Sequence, residues 1–427
     1  MSASRTDRRP GSAPASPPGE WAVIGFLAML SGLSAFGIDV LLPGLSDIRS
    51  ALGLAPDSTQ ASLVVTVYLF GLGTGQIVYG PFADHVGRKP TVLVGLGGYA
   101  AGAVGAALSP TLATMLAFRF VMGLGAASPR AMSLTIARDR FDGDAMTRVV
   151  SLVMLFFQLS PAVAPLLGEG LLVIGPWQGI FVFCAVLAVF TAVWTTRVDE
   201  TLDPAHRLPL TFARSLATAR AIAGSRWALG HGLVLMFEFT AFYVYLSSSE
   251  LVFDDVFERA ELFAWCFAAS ALLQAAGNLV ASRIVRRIGT ARLMAYVIAS
   301  YVVVGVVFLV VTVAADGHPN FWVWLVLLWM LNVLHALVLT MANSLAMQPL
   351  AAFAGTGSGL IGTMSMMGGA IVSSFVAATI HGSATPMAAA YAGFGLLAGL
   401  SLWWARGGSP APIAPRDTIV DNIVDNS

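Results

Sequence analysis

The chain has 427 residues, of which 57% are hydrophobic and only 11% are charged, and its mean hydropathy is +0.79. Soluble domains contain about 45–50% apolar residues, so this composition excludes an ordinary soluble protein and indicates a membrane protein. The formal net charge is zero and the basic residues are dispersed over short segments, which gives no indication of nucleic-acid binding.

Twelve apolar stretches follow one another along the chain, each close to the roughly 20 residues that cross a bilayer as an α-helix. We therefore predict an all-α membrane protein with these spans: 21–42, 60–82, 91–108, 112–128, 149–173, 177–196, 227–249, 262–282, 293–314, 321–346, 356–380 and 386–405. The longest segment on the N-terminal side of the membrane divides the spans six to six. The expected divisions are a disordered tail at 1–20, a six-helix bundle at 21–196, a cytoplasmic central loop at 197–226, a second bundle at 227–405 and a disordered tail at 406–427.

The distribution of cationic residues predicts how the chain sits in the membrane. Of the 23 Lys and Arg residues, 20 fall in segments on the side of the N-terminus, Arg49 and Arg259 fall on the other side, and Arg119 lies within a span. Cytoplasmic loops of membrane proteins carry an excess of Lys and Arg. We expect both termini to be cytoplasmic, in a multi-pass protein of the cell inner membrane.

The hairpin between the second and third spans concentrates charge in a chain that has little. It reads GPFADHVGRKP, in which Gly80, Asp84, Gly87, Arg88 and Lys89 form the pattern GxxxDxxGRK. The hairpin between the eighth and ninth spans reads RRIGTAR, so that Gly289 corresponds to Gly87 while the acid is missing. The recurrence indicates two related halves.

Two further patterns lie within spans. The fourth span carries RxxxGxGA, formed by Arg119, Gly123, Gly125 and Ala126. The fifth contains SPAVAPLLGEGL, in which Pro161, Pro165 and Gly168 weaken the helix and permit close packing, so that this segment can bend against a partner span.

These features resemble the major facilitator superfamily. The stretches DVLLPGL, TIARDRFDGDA and MANSLAMQPLAAFAGTGSGLIG resemble its bicyclomycin- and chloramphenicol-resistance branch of twelve-span drug:proton antiporters, and the resemblance covers about residues 25–400. It implies two pseudo-symmetric six-helix bundles that export drug-like molecules, antibiotics among them, by alternating access. It also implies that the GxxxDxxGRK loop holds the cytoplasmic side closed through Asp84, although the loop would alternatively act only as a topology anchor.

Ionisable residues within spans are functional candidates, because a charge at the bilayer centre costs about 2.5–3.5 kcal/mol on insertion scales. Asp39 and Arg119 lie at comparable depth, and the resemblance places their spans around a central cavity. We expect them to pair, with protonation of Asp39 releasing Arg119; a permanent ion pair closing the outer half is the alternative.

Two glutamates complete the candidate proton-coupling set of Asp39, Arg119, Glu169 and Glu238. Glu238 lies mid-span in LVLMFEFTAFYVY with no evident cation beside it, which suits a proton carrier or a site for a cationic drug; a neutral structural carboxyl is the alternative. Glu169 replaces the second Gly of the usual fifth-span motif, and it either faces the outer half of the cavity or lies solvated near its exit.

The expected substrate cavity is aromatic and contains two polar residues of the tenth span. Its candidate lining residues are Phe237, Phe242, Tyr243, Asn332 and His335. A buried histidine satisfied by a neighbour is the alternative reading of His335.

No cofactor is expected, because the sequence has neither metal-ligand spacing nor a GxxxxGK[ST] nucleotide loop, and transport would then be secondary. No nucleophile–base pair indicates an enzyme. We expect a monomer in the lipid bilayer that carries a small molecule and protons. A carrier for metabolite uptake or facilitated diffusion, and a membrane sensor without transport, are the competing functions.

Overall fold

A computed structural model describes residues 20–55, 58–141, 143–202, 207, 212–380 and 382–411. Within these ranges the regular structure is helical and contains no strand. The α-helices are α1 (Glu20–Asp39), α2 (Leu45–Ala51), α3 (Leu63–Val86), α4 (Arg88–Ala107), α5 (Leu112–Arg140), α6 (Gly143–Ile174), α7 (Gln178–Thr196), α8 (Phe212–Gly224), α9 (Arg226–Leu251), α10 (Phe263–Ile288), α11 (Thr290–Ala314), α12 (Phe321–Met347), α13 (Ala354–Ala377) and α14 (Thr385–Ala405).

Among the described residues, twelve helical segments are long and apolar enough to cross a membrane, so the predicted number of spans is confirmed. Lipid offers the backbone no hydrogen-bond partner, and an α-helix satisfies its own N–H and C=O groups. The short helices α2 and α8 were not predicted. The two predicted tails lie largely outside the described residues, and the exact boundaries of the two bundles remain predictions.

One predicted span ends too early. The fourth was expected at 112–128, whereas α5 continues through Pro129 to Arg140. A proline is tolerated inside a membrane helix when neighbouring groups satisfy the freed carbonyl. As a result Arg130, assigned from the sequence to a cytoplasmic segment, lies within a spanning helix.

Helix contacts divide the spans into two groups of six, α1 with α3–α7 and α9–α14. The main contacts between the groups are those of α3 with α13 and of α6 with α10. Thr363 of α13 donates a hydrogen bond to the Gly73 carbonyl of α3 at 2.9 Å, and Asn278 of α10 donates one to Gln158 of α6 at 3.1 Å. We call the two groups the N-half and the C-half.

The glycines of the fourth-span pattern permit close helix packing in the N-half. A Cβ atom on Gly123 would overlap the Tyr68 carbonyl in α3, and one on Gly125 would overlap the backbone nitrogen of Tyr99 in α4. Small residues let membrane helices approach in this way. The packing fixes α5, and with it the depth of its two arginines.

A single glycine joins two spans in each half. Gly87 (φ 118°) lies between α3 and α4, and Gly289 (φ 81°) lies between α10 and α11. Both residues adopt positive φ, which favours glycine. The correspondence inferred from the two hairpin sequences therefore extends to the backbone. We call the membrane face that carries these residues the joint face, and the other the opposite face.

Candidate functional site

A carboxyl–imidazole pair lies in the middle of the C-half. Glu238 is the thirteenth of 26 residues in α9, and His335 is the fifteenth of 27 in α12. The Oε2 atom of Glu238 lies 3.2 Å from the Nδ1 atom of His335, and the two side chains are 0% and 3% exposed. His335 is therefore a partner for Glu238 that the sequence did not reveal, and its ring carries a positive charge only when it is protonated.

Aromatic rings enclose this pair. The His335 ring stacks on Phe242 at 4.6 Å between centroids, and Phe239 meets it edge-on at 6.1 Å. The Oε1 atom of Glu238 lies near the Tyr301 hydroxyl, but neither atom makes a hydrogen bond of regular geometry. The second carboxylate oxygen is therefore only loosely held in this conformation.

Two other residues predicted to line the cavity contact side chains of the C-half instead. Asn332 accepts a hydrogen bond from the Tyr391 hydroxyl at 2.7 Å and donates one to Ser270 at 3.2 Å. Phe237 stacks on Phe394 of α14 at 6.3 Å. The contacts of Asn332 and Phe237 therefore support a structural role. Phe242 and Tyr243 lie about one helical turn after Glu238 in α9.

Arg119 does not bind Asp39 in this conformation. Its Nη1 atom donates to the Gly37 carbonyl and its Nε atom to the Val64 carbonyl, both at 2.9 Å, and its guanidinium lies 4.4 Å from the Tyr68 ring centroid. Gly37 belongs to the last turn of α1, where carbonyls lack intrahelical partners and readily accept an arginine. The expected ion pair is therefore replaced by backbone contacts, while Asp39 is buried without an ion pair among the described residues.

Arg130 is a second cation inside α5 that sequence analysis did not single out. Its guanidinium lies 5.1 Å from the Phe157 ring centroid in α6, and its Nη1 atom lies 4.0 Å from the Met366 sulfur in α13. Arg130 therefore lies where the N-half meets the C-half. A span extended beyond Pro129 would have identified it.

Charged groups join the halves near the opposite face. Arg49 of α2 donates to Glu250 of α9 at 3.1 Å, and the two side chains are 7% and 9% exposed. Half-buried Glu169 lies close to the Ala264 N–H in the first turn of α10, where a negative charge is favoured by the helix dipole. Glu169 thus lies neither free in solvent nor beside the carboxyl–imidazole pair.

The fifth-span motif lies next to these contacts. Pro161 and Pro165 lie inside α6, which remains helical from Gly143 to Ile174. A Cβ atom on Gly168 would overlap the Val40 carbonyl just beyond α1. The glycine therefore permits α6 to approach α1 closely at this depth.

The GxxxDxxGRK loop forms a charged network inside the N-half. Arg88 donates to Asp84 at 2.7 Å and to Asp139 of α5 at 3.1 Å, and Lys89 donates to the Thr196 carbonyl at 2.8 Å. Gly80 has open space around its Cα, so its lack of a side chain is not required here. The contacts of the motif connect α3, α4, α5 and the end of α7.

Glu200, which follows α7, completes this network. It accepts hydrogen bonds from the backbone N–H groups of Arg88 (2.9 Å) and Lys89 (3.0 Å) at the start of α4. Partial burial raises the pKa of Glu200, but hydrogen bonds from four backbone N–H groups outweigh it, so the pKa of this carboxyl lies below its ordinary value. An ionised acid therefore covers the N-terminus of α4, a contact that the loop motif alone did not indicate.

A model of the Major Facilitator Superfamily matches residues 24–373. The match covers most of the chain, and the helices have the arrangement that the resemblance implied. The protein belongs to the major facilitator superfamily and is a membrane transporter.

Curated relatives match over most of this chain. An uncharacterized transporter of this superfamily from Bacillus subtilis is 28% identical over 367 residues, which are 85% of this chain and 90% of the relative. A bicyclomycin resistance protein homolog from Haemophilus influenzae is 26% identical over 363 residues, or 84% and 90%. The multidrug resistance protein MdtL of Escherichia coli is 27% identical over 227 residues, or 53% and 57%.

Solved structures share the fold at low identity. A D-xylose–proton symporter superposes with a TM-score of 0.71 at 14% identity, covering 90% of this chain and 97% of the symporter. A human organic anion transporter superposes with a TM-score of 0.64 at 19% identity, covering 91% of this chain and all of the other. At these identities the comparison carries the fold and nothing about substrates.

Proposed function

We propose that this protein is a proton-coupled exporter of drug-like small molecules, antibiotics among them, that works by alternating access of its two halves. The observation that carries this proposal is the buried pair of Glu238 and His335 at mid-depth. Buried ionisable residues in membrane transporters mark ion pathways and proton relays. The names of the relatives, bicyclomycin resistance and multidrug resistance, support the substrate class.

The pair exchanges the coupling proton. When it holds an ionised carboxylate and a protonated imidazole, each group stabilises the charge of the other; loss of a proton leaves a net negative charge in the C-half. Because the two atoms are only 3.2 Å apart, the charge on one group strongly affects the charge that the other group can carry. The proton concentration differs between the two sides of the membrane. The net charge of the pair therefore depends on the side to which the pair is open.

Asp39 and Arg119 change partners during the cycle. The Nη2 atom of Arg119 is a buried donor without a partner in the described structure, and Asp39 lies two residues beyond the Gly37 carbonyl that Arg119 binds. A small displacement of the end of α1 brings the carboxylate to that donor. In this proposal the ion pair belongs to another conformation and contributes to closure.

The GxxxDxxGRK loop acts on the joint face. Its network stabilises the N-half as one body, and Asp84, whose side chain is 44% exposed, is available to the C-half when that face closes. This is the closing role implied by the family resemblance.

The joint face is cytoplasmic in this proposal, with both termini on that side of the inner membrane. The cation excess supports this orientation, even with Arg130 counted within a span. Arg287→Cys on the joint face should react with a membrane-impermeant maleimide only in everted vesicles, and Glu258→Cys only in right-side-out vesicles. The native cysteines Cys184 and Cys266 are buried. The opposite labelling pattern would reverse the orientation.

Expression in an efflux-deficient host tests the function. We expect raised minimum inhibitory concentrations for part of a broad antibiotic panel, and loss of that resistance when the proton gradient is collapsed. Catalysis, a cofactor and a permanent oligomer have no role in this proposal. Flux that persists without the gradient would favour facilitated diffusion or metabolite uptake, and the absence of any flux in vesicles would favour a sensor.

A further inference from the structure

Arg130 places a cation at the centre of the membrane domain. It is the nineteenth of 29 residues in α5, and side chains of a helix lean towards its N-terminus, which carries the guanidinium back towards mid-depth. Its two contacts lie at helix midpoints: Phe157 is the fifteenth of 32 residues in α6, and Met366 is the thirteenth of 24 in α13. The guanidinium is therefore at the depth of Glu238, but belongs to the N-half.

No carboxylate of the described residues lies within 4.0 Å of Arg130. A guanidinium has five N–H donors, whereas the hydrogen-bond partner of Arg130 among the described residues is the thioether sulfur of Met366, a weak acceptor at 4.0 Å. A charge at the bilayer centre is costly, so an arginine without an acid is not retained for stability. Its donors are directed towards the boundary between the halves.

Comparison with the three buried arginines of the described residues shows how Arg130 differs. Arg119 binds two backbone carbonyls, Arg49 is paired with Glu250, and Arg88 is paired with Asp84 and Asp139. All three hold helices together. Arg130 instead is only partly buried, between an aromatic ring and a methionine, which are surfaces that suit the apolar body of a small molecule.

We propose that Arg130 binds an acidic group of the transported molecule, so that the substrates include organic anions. The guanidinium would hold a carboxylate or sulfonate through two parallel N–H···O bonds, and Phe157 and Met366 would cover the adjoining apolar part. This assignment of a substrate class rests on the proposed transport function. It adds a specificity determinant in the N-half, apart from the pair that exchanges the proton.

Two dyes on one scaffold test the proposal. Fluorescein is anionic and rhodamine 123 is cationic, while both have a xanthene core, and their binding to the purified full chain in nanodiscs can be followed by fluorescence anisotropy. A hydrogen-bonded charge pair of about 1.5–3 kcal/mol corresponds to roughly a tenfold to hundredfold change in affinity. We expect Arg130→Gln to weaken fluorescein binding by that factor, to leave rhodamine 123 unchanged, and Arg130→Lys to retain part of the fluorescein affinity.

Arg140→Gln, at an exposed position of the same helix, is the matched control and should bind both dyes as the parent does. A second measurement needs no variant: benzoate, but not benzamide, should compete with fluorescein on the unmodified protein. Equal loss of both dyes in Arg130→Gln, unchanged fluorescein affinity, or no fluorescein binding to the unmodified protein would each overturn the proposal. Dye binding requires no proton gradient, so it can be measured whether or not the protein exports substrates in exchange for protons. Failure of the proposed function and failure of this proposal are therefore distinguishable.

Discussion

Glu238→Gln should abolish uphill transport while leaving downhill exchange intact. The amide has the shape of the carboxyl and can still bind the His335 ring, but it cannot exchange a proton. One pH unit is worth about 1.36 kcal/mol per proton, so a one-proton antiporter supports roughly a tenfold substrate gradient across it. In proteoliposomes with that pH step, we expect accumulation by the parent protein and a ratio near one for the variant.

Counterflow without a pH gradient separates coupling from folding, because it requires substrate binding and the conformational change only. We expect the Glu238→Gln variant to retain it. Glu261→Gln, an exposed acid on the opposite face, is the control and should accumulate substrate normally. If Glu238→Gln accumulates substrate like the parent and Asp39→Asn does not, the coupling carboxyl lies in α1 instead.

Glu250→Gln should open the opposite face. The Arg49–Glu250 pair joins α2 of the N-half to α9 of the C-half, and both side chains are nearly excluded from solvent. Removing one member of a buried pair costs about 3–5 kcal/mol, because the other charge is left in place. Since separation of the halves hydrates that charge, the penalty falls on the closed conformation, and a shift of about 3–5 kcal/mol changes a two-state ratio by more than a hundredfold.

Spin labels at Ala51 and Glu258, both exposed on the opposite face, would report this shift as a longer distance in double electron–electron resonance. The charge reversal Arg49→Glu with Glu250→Arg should restore the short distance, which a nonspecific loss of stability would not do. Glu261→Gln again serves as the control. A distance distribution that Glu250→Gln leaves unchanged would mean that the ion pair does not hold this face closed.

Hydropathy and spacing predicted the features that depend on position along the membrane normal. The number of spans, the mid-depth position of Glu238 and the two glycine joints all follow from where apolar stretches begin and end. The glycines of the fourth-span pattern were also interpretable, because only a residue without a side chain permits the observed approach of Tyr68 and Tyr99.

Partners across helices could not be predicted in this way. Glu238 and His335 are 97 residues apart, and Arg49 and Glu250 are 201 apart, so their contacts depend on how each helix is rotated about its axis. An apolar span facing lipid on one side and protein on the other has a weak periodicity that leaves this rotation undetermined. The same limit explains the expected pairing of Asp39 with Arg119, whose depths match while their contacts do not.

The glycine joints have a consequence for how the chain enters the membrane during synthesis. Only Gly87 separates the end of α3 from the start of α4, and only Gly289 separates α10 from α11. One residue leaves no loop between the two helices, so the end of the first and the start of the second must reach the same membrane surface together. The two helices then diverge and pack mainly against other spans, so we expect each pair to be completed only when those later spans have been inserted.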